Sequence, residues 1–282
     1  MGVCPTRKIW GLPTLTPATQ DTDFPYWLVA VCVIGLVLAY VIFTNDIYAQ
    51  IMSKLRLGVW TTIFVAMVGF VSASAIGLGL ALMGLSRFIV LRQIARFYIE
   101  VIRGVPIIVL LFYIAFAAAP GIVWLGNIIT SPLQSAGIMD AITIRDFSLL
   151  WRAVFALMIG YSAFIAEIFR AGILSVDKGQ IEAAKALGLS GWQRFRFIVF
   201  PQAIRTILPP LGNDFVAMVK DSSLVSVLGV ADITQLGKVY AAGSFRYLET
   251  YSIVAYVYLI LTIGLSLMLR ALERRLRQSQ QR

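Results

Sequence analysis

The chain has 282 residues, of which 59% are hydrophobic and only 13% are charged, whereas a soluble domain carries roughly a quarter charged residues. The mean hydropathy of +0.84 excludes a water-soluble globular protein and predicts a membrane protein. There is no histidine, and the two cysteines, Cys4 and Cys32, lie far apart, which excludes Ser-His-Asp and Cys-His catalysis, most zinc sites and a disulfide framework. The net charge of +10 is more typical of basic cytoplasmic loops than of nucleic-acid binding.

About six segments have the length and composition of transmembrane helices, measured against the ~20 apolar residues that cross a ~30 Å hydrocarbon core. They lie at residues 24–45, 57–86, 104–120, 150–173, from about 206 onward, and 250–269. The fifth is ambiguous because it contains three charged residues. The pattern predicts an all-α integral membrane protein.

The first segment has features of a signal peptide because Arg7 and Lys8 precede it. Its apolar run is long, however, and no good cleavage site follows Ala39, so an uncleaved signal anchor is the preferred interpretation.

Basic residues outside the spans are distributed unequally between the two sides of the membrane. Sixteen fall on the side of the N-terminus: Arg7, Lys8, Arg87, Arg92, Arg96, Arg103, Lys178, Lys185, Arg194, Arg196, Arg205, Arg270, Arg274, Arg275, Arg277 and Arg282. Five fall on the other side: Lys54, Arg56, Arg145, Lys238 and Arg246. The positive-inside rule therefore predicts that both termini are cytoplasmic.

The connection between the third and fourth spans, residues 119–149, is long and is predicted to face the outside. Pro120 and Gly121 are expected to end the third span, and Pro132 favours a loop or a short interfacial helix in the connection.

The loop from Leu174 to Pro201 carries clear helix signals. Asp177 followed by Gln180 is typical of a helix start and Gly188 of a helix end, so the pattern predicts a short helix over 178–187.

Ser190 and Gln193 repeat the start signal, which predicts a second short helix and hence a compact cytoplasmic knob. The apolar residues expected on one face of that helix are Trp192, Phe195, Ile198 and Val199. The alternative is an amphipathic loop on the lipid headgroups, with Arg194, Arg196 and Arg205 toward phosphate.

The segment EAAKALGLSGWQRFRFIVFP, residues 182–201, resembles the EAA loop of binding-protein-dependent ABC importer permeases. The residues that match the family spacing are Glu182, Ala183, Ala184, Gly188, Ile198 and Pro201. Phe200 stands where leucine is usual, which replaces one apolar residue by another.

Three further stretches resemble the polar amino-acid branch of that family: IRGVP at 102–106, AEIFRAGILSVDKGQ at 166–180 and LPPLGNDFVAMVKDSSLVSVLGV at 208–230. The similarity extends from about Gly58 to Leu272. The departures are the extra first span and the long outer connection.

The resemblance implies a type I ABC importer permease fold with this organisation: a cytoplasmic segment at 1–26, an extra transmembrane helix at 27–45, a permease domain at 57–272 and a basic tail at 273–282. It also implies that the EAA loop is a coupling helix that docks on an ATPase subunit, with Ala183, Ala184 and Gly188 at its surface and Glu182 capping or pairing at the contact.

The implied partners are two ATPase subunits, a second permease subunit, identical or homologous, and an extracytoplasmic binding protein that delivers a polar amino acid. The implied location is the bacterial cytoplasmic membrane. This chain lacks the phosphate loop G-x-x-x-x-G-K-[ST], so no cofactor is expected in it, and ATP and Mg are expected on the partner ATPase.

Charged residues within spans are costly and usually face a bundle interior or an aqueous path. Glu167 and Arg170 are three residues apart on one helix face and form either a structural ion pair or part of the substrate path.

Asp214 and Asp221 are seven residues apart and are predicted to share a face, with Lys220 turned away. Asn213, Ser222 and Ser223 add polar groups nearby. This stretch either lines the substrate path or forms an interhelical polar network.

Two other functions compete with the importer permease. One is a secondary amino-acid transporter or channel that acts without an ATPase, in which the intramembrane charges would couple transport to ions. The other is a membrane scaffold whose knob only recruits a partner. The EAA spacing favours the permease.

Overall fold

The computed structural model describes residues 26–278, and every regular element in this range is helical. This range divides into two units, one that ends at Val41 and one that begins at Ile42. The α-helices are α1 (Tyr26–Thr44), α2 (Asp46–Gly84), α3 (Ile89–Gly104), α4 (Ile107–Phe112), α5 (Ala119–Ser135), α6 (Leu149–Leu174), α7 (Lys178–Ala186), α8 (Gly191–Arg194), α9 (Phe200–Asp221), α10 (Ile233–Ser244) and α11 (Tyr247–Gln278).

Two π-helical segments, Tyr113–Ala118 and Phe195–Val199, join α4 to α5 and α8 to α9 without a loop, and one 3₁₀ segment, Ser222–Leu228, follows directly on α9. The predicted all-α fold is confirmed. Residues 1–25, which hold nearly all of the predicted N-terminal segment, and residues 279–282 of the predicted tail lie outside the described residues.

Four helical stretches of the described chain are long and apolar enough to cross a membrane: Asp46–Gly84, Ile107–Ser135, Leu149–Leu174 and Tyr247–Glu273. A shorter apolar stretch, Leu28–Thr44, belongs to α1. α9 has 22 residues, about 33 Å at 1.5 Å per residue, which is enough to cross a hydrocarbon core of ~30 Å despite its charges. α9 is the ambiguous fifth span, and it begins at Phe200 rather than near Thr206.

The third span does not end at Pro120 and Gly121, so that prediction is wrong. The helix continues through α5 to Ser135, and Pro120 follows directly on the first π segment. Proline lacks a backbone N–H and its ring clashes with the carbonyl four residues before it. A wider π turn before the proline makes room for the ring, so the chain remains helical.

The outer connection is therefore residues 136–148 rather than the predicted 119–149. Arg152 of α6 fixes this connection, because its guanidinium donates to the carbonyl oxygens of Ile144 at 2.6 Å and Phe147 at 2.7 Å. The same guanidinium donates to the carbonyl of Ala115 in the first π segment at 3.0 Å. Since Pro120 has no N–H to offer the carbonyl five residues before it, Arg152 supplies the missing donor.

α6 lies at the centre of the second unit and contacts α2, α3, α4 and α9. Leu157 and Ile165 of α6 are fully buried. Gly77 of α2 allows the close approach, because a Cβ atom there would lie 2.9 Å from the Ile165 side chain and 3.0 Å from the Ser162 carbonyl. Close packing of this kind through small residues is typical of helices in a membrane.

α10 packs between α2 and α11 through a separate apolar cluster that includes Leu55, Ile233 and Ile253. A Cβ atom at Gly58 would lie 2.6 Å from the backbone at Asp232. The start of α10 therefore touches the backbone of α2, and a larger residue at position 58 would separate the two helices.

Candidate coupling loop and substrate path

The short helix predicted over 178–187 is present as α7, Lys178–Ala186, and begins as expected: the Asp177 side chain accepts a hydrogen bond from the Gln180 N–H at 3.2 Å. Gly188 follows the helix with φ of 76°, a left-handed conformation that costs glycine little. A short helix with strong caps at both ends is well suited to hold a fixed shape on the surface.

The end of α7 is a Schellman motif. The Gly188 N–H donates to the Lys185 carbonyl at 3.0 Å and the Leu189 N–H donates to the Ala184 carbonyl at 3.1 Å. These bonds satisfy carbonyls that would otherwise lack partners at the helix end. The predicted role of Gly188 as a helix-ending glycine is confirmed.

The second half of the knob differs from the prediction. Ser190 and Gln193 do form the predicted capping box, but α8 has only four residues. It continues without a loop through the second π segment into α9, so there is no separate second helix. Pro201 lies at the start of α9 and follows a π segment, as Pro120 does, which indicates the same accommodation of a proline ring.

Ala184 was expected at the surface, and that prediction is wrong because its side chain is buried. Glu182, Ala183 and Gly188 are exposed, and a Cβ atom at Gly188 would meet no atom within 4 Å. Beside the glycine, Leu187 is 81% exposed. The outer face of the knob therefore combines an apolar side chain, a small residue and a carboxylate.

The inner face of the knob, residues 174–201, packs against the membrane-spanning helices α6 and α9. Val176, Val199 and Ala203 are buried together in one apolar cluster at the ends of α6 and α9. The Gln202 side chain donates to the Gln180 side chain at 2.6 Å, which joins α9 to α7. The remaining EAA residues, Ile198 and Pro201, are half-buried at this junction.

A polar cavity of about 630 Å³ lies between the C-terminal part of α2, α3 and the C-terminal part of α6. Five charged residues line it: Arg96, Glu100, Arg103, Glu167 and Arg170. The apolar part of its wall includes Leu80, Ile99 and Leu174. A cavity that presents both guanidinium and carboxylate groups can bind a molecule that carries both charges.

Within this cavity Glu167 and Arg170 form an ion pair. The Arg170 Nη2 atom lies 2.6 Å from Glu167 Oε2, and Nε donates to both carboxylate oxygens at 3.1 and 3.2 Å. The two side chains are 30% and 43% exposed. The ion-pair interpretation is therefore confirmed, and the pair is open to the cavity rather than enclosed.

Asp221 contacts α6, because the Tyr161 hydroxyl donates to Asp221 Oδ2 at 2.7 Å. Asp214 lies about two turns earlier in α9. Asp214 Oδ2 is buried and has no hydrogen-bond partner in the described chain. A buried carboxylate oxygen without a donor is costly.

The other polar residues of this stretch are divided among different surroundings. Asn213 and Lys220 are exposed, as expected for Lys220, and Ser223 is half-buried. The Ser222 hydroxyl donates to the Val219 carbonyl at 2.7 Å within its own helix. Of the predicted path residues only Glu167 lines the charged cavity, and the stretch from 213 to 223 forms a separate polar group.

Sequence reasoning missed the contribution of α3 to the cavity. Arg96 and Arg103 were counted only as basic residues outside the spans and Glu100 was not considered, yet the spacing of four and three residues places all three on one helix face. That spacing was the available signal. Arg103 also lies over the Phe164 ring at 5.5 Å, which ties the end of α3 to α6.

The family model described as binding-protein-dependent transport system inner membrane component matches residues 73–278. The glutamine transport system permease protein GlnP of Escherichia coli K12 is 40% identical over 223 residues, covering 78% of this chain and 91% of the relative. The L-cystine transport system permease protein TcyL of Bacillus subtilis 168 is 34% identical, covering 78% of this chain and 86% of the relative.

A crystal structure of an amino acid ABC transporter with histidines contains a chain of the same fold. It matches with a TM-score of 0.68 and 35% identity, over 80% of this chain and 96% of that chain. The residues that the family model matches include the C-terminal part of α2, the helices α3 to α11, the loop at 182–201 and the residues that line the charged cavity. The chain therefore belongs to the family of inner membrane components of binding-protein-dependent transport systems.

Proposed function

We propose that this protein is the permease subunit of an ATP-driven importer of polar amino acids in the bacterial cytoplasmic membrane. Two permease subunits, identical or homologous, form the path, two ATPase subunits bind the coupling loops, and an extracytoplasmic binding protein delivers the substrate. The observation that supports a polar amino acid as substrate is the cavity between α2, α3 and α6, which is lined by both positive and negative side chains.

An amino acid needs partners for an ammonium and a carboxylate group when it leaves water. Arg96 and Arg103 offer guanidinium groups to the carboxylate, since such pairs form strong, geometrically specific hydrogen bonds. Glu100 and Glu167 offer carboxylates to the ammonium group. A charged group that leaves water without such partners is costly, so the cavity favours the entry of a molecule that carries both charges.

The relatives named for glutamine and L-cystine transport support a polar amino acid as substrate. The two relatives have similar sequence identity to this chain but are named for different amino acids. The particular amino acid therefore has to be measured.

The proposed energy source is ATP with Mg on the partner ATPase. The exposed outer face of α7, Glu182, Ala183 and Gly188, is the proposed contact with that subunit. α6 reaches from the cavity to Leu174, and only three residues separate it from α7. A movement of the knob is therefore transmitted directly to the wall of the cavity.

The proposed orientation places both termini in the cytoplasm. It is supported by the unequal distribution of basic residues. In this orientation α7 and the cavity end of α6 lie on the cytoplasmic side, where an ATPase subunit can reach them.

The test is transport by the purified complex in proteoliposomes, with Glu100→Gln compared with Glu249→Gln, the same change at the start of α11, outside the cavity. We expect Glu100→Gln to raise the amino-acid concentration needed for half-maximal ATPase stimulation, and Glu249→Gln to leave it unchanged. Equal behaviour of the two variants would remove the cavity from the path. Uptake driven by an ion gradient without ATP would establish the secondary transporter instead.

A further inference from the structure

The chain between α9 and α10 has an uncommon geometry. After Asp221 it forms a 3₁₀ helix of seven residues, Ser222–Leu228, which ends at Gly229 with φ of 82°. Runs of 3₁₀ helix longer than about three or four residues are uncommon, and within a helical stretch they often mark a hinge or strain. The conformation of the segment therefore depends on its surroundings as well as on its own hydrogen bonds.

Its position within the fold supplies those surroundings. The 3₁₀ segment contacts α2, α4, α6, α9 and α10. Ser222, Val225 and Leu228 are buried, Ser226 is 8% exposed, and Val227 is 45% exposed. One face of the segment thus packs into the bundle while the other is open.

A tyrosine hydroxyl donates to the aspartate just before the segment, and another donates to the aspartate four residues after it, at the start of α10. At the first end, Tyr161 of α6 donates to Asp221 Oδ2 at 2.7 Å. At the second end, Tyr258 of α11 donates to Asp232 Oδ2 at 3.1 Å. Hydrogen bonds to carboxylates are about twice as strong as bonds between neutral groups.

The second end is held firmly in other ways. Asp232 is fully buried and caps α10, accepting from the Gln235 N–H at 2.8 Å and the Thr234 N–H at 3.1 Å. The Ile233 N–H donates to the Thr62 hydroxyl of α2 at 3.4 Å. The segment therefore has one fixed end at α10, whereas the Tyr161 bond is the hydrogen bond that ties its other end to α6.

We propose that Tyr161 and Tyr258 are positioning residues for transport: their bonds to Asp221 and Asp232 hold the 3₁₀ segment in place, and release of the Tyr161 bond lets it rearrange. A 3₁₀ helix rises about 2.0 Å per residue and an α-helix about 1.5 Å, so conversion of seven residues shortens the segment by about 3.5 Å. It also turns one end by roughly 140° relative to the other, since the two helices turn about 120° and 100° per residue.

The link to transport rests on the proposed function, because α6 carries Tyr161, the cavity residue Glu167 and, three residues after its end, the coupling helix. A shift of α6 driven at the knob changes the distance between Tyr161 and Asp221. We call the Tyr161–Asp221 and Tyr258–Asp232 hydrogen bonds the clamp. Through the clamp, the position of the cytoplasmic knob is coupled to the conformation of the 3₁₀ segment.

The first test needs only the purified full-length permease. In a Cys4→Ser, Cys32→Ser background, a thiol introduced as Ser226→Cys is protected by burial and one introduced as Val227→Cys is not. We expect Tyr161→Phe to raise the labelling rate of Ser226→Cys about tenfold, the effect of removing one hydrogen bond to a charged group. The rate at Val227→Cys stays the same.

Tyr98→Phe is the matched control. The Tyr98 hydroxyl also bonds to α6, at the Ser162 hydroxyl at 2.8 Å, but it does not contact the segment. Asp221→Asn weakens the same bond from the acceptor side, because it replaces a charged acceptor by a neutral one, and it serves as the second clamp variant if Tyr161→Phe does not yield folded protein. Labelling of Ser226→Cys that is the same in both clamp variants as in Tyr98→Phe would overturn the clamp.

The second test uses the complex with its ATPase subunits. Labelling of Ser226→Cys is compared between the nucleotide-free complex and the complex trapped with ATP and vanadate. A difference that disappears in Tyr161→Phe and persists in Tyr98→Phe is the expected result. Equal labelling of Ser226→Cys in the nucleotide-free and vanadate-trapped complexes, with Tyr161 and Tyr258 unchanged, would refute the role of the clamp in transport. The first test would still show whether the clamp exists. Co-purification of the ATPase would still test the proposed function.

Discussion

Gly188 offers the sharpest test of the coupling loop, because the chain contains a matched glycine elsewhere. Gly137 follows α5 as Gly188 follows α7, with φ of 71° against 76°. Both glycines end a helix through the same pair of hydrogen bonds. After α5, the Gly137 N–H donates to the Gln134 carbonyl and the Ile138 N–H donates to the Leu133 carbonyl, each at 3.0 Å. A Cβ atom at either glycine would meet nothing within 4 Å.

The cost of a side chain is therefore the same at the two sites. A residue other than glycine pays about 1–2 kcal/mol in the left-handed conformation, and aspartate lies at the lower end because its side chain bonds locally. No steric term is added at either position, since the space around both is open. We expect Gly188→Asp and Gly137→Asp to lower the free energy of unfolding equally, by about 1 kcal/mol.

The two variants differ in what they face. Gly188 lies on the exposed face of the proposed contact with the ATPase, where an added carboxylate enters the docked surface. Gly137 lies in the connection between α5 and α6, at the other end of α6. We expect only Gly188→Asp to lose co-purification with the ATPase subunit and ATP-dependent uptake, while thermal unfolding of both variants shifts alike.

The measurements are thermal unfolding of each purified permease, co-purification of the ATPase, and crosslinking from Ala183→Cys, which is exposed, rather than from the buried Ala184. Uptake by Gly188→Asp equal to that of Gly137→Asp would refute the assignment of this surface to coupling. A larger loss of stability at Gly188 than at Gly137 would show that the effect is structural.

Three further results are expected. Glu167→Gln should lower the free energy of unfolding by only about 0.5 kcal/mol, because the ion pair with Arg170 is partly exposed. Addition of Arg170→Gln should restore part of this loss. A large loss measured by thermal unfolding would show that the pair is structural. Asp214→Asn should change the substrate dependence of ATPase activity with little loss of stability, since its buried oxygen has no partner, and an unchanged concentration dependence would remove Asp214 from the path. An impermeant thiol reagent should label Ser135→Cys but not Ser279→Cys in whole cells, and the reverse pattern would discard the proposed orientation.

The local signals that the sequence predicted correctly are those whose physical cause is local. The start of α7 at Asp177 and its end at Gly188 depend on hydrogen bonds within a few residues. The transmembrane character of α2, α6 and α11 depends only on length and apolar composition. These features require no knowledge of the neighbouring helices.

The errors occur where a neighbour overrides the local signal. Pro120 is a helix breaker in isolation, yet the π segment makes room for it and Arg152 supplies a donor from α6. Ala184 was placed at the surface from its motif, but its side chain is buried, and α7 packs against α8 and the second π segment. In both cases a contact outside the local motif decides the outcome.

By itself the sequence determined the membrane class, the spacing of the EAA loop and the caps of its helix, because composition, spacing and short-range hydrogen bonds need only the order of residues. The tertiary structure alone decided that Arg96, Glu100 and Arg103 join Glu167 around one cavity. It also decided that Asp221 accepts a hydrogen bond from the hydroxyl of Tyr161, which lies 60 residues earlier in the sequence. Such pairings depend on how α3, α6 and α9 pack against one another, and close packing of helix faces is set by the whole set of side chains at their contacts.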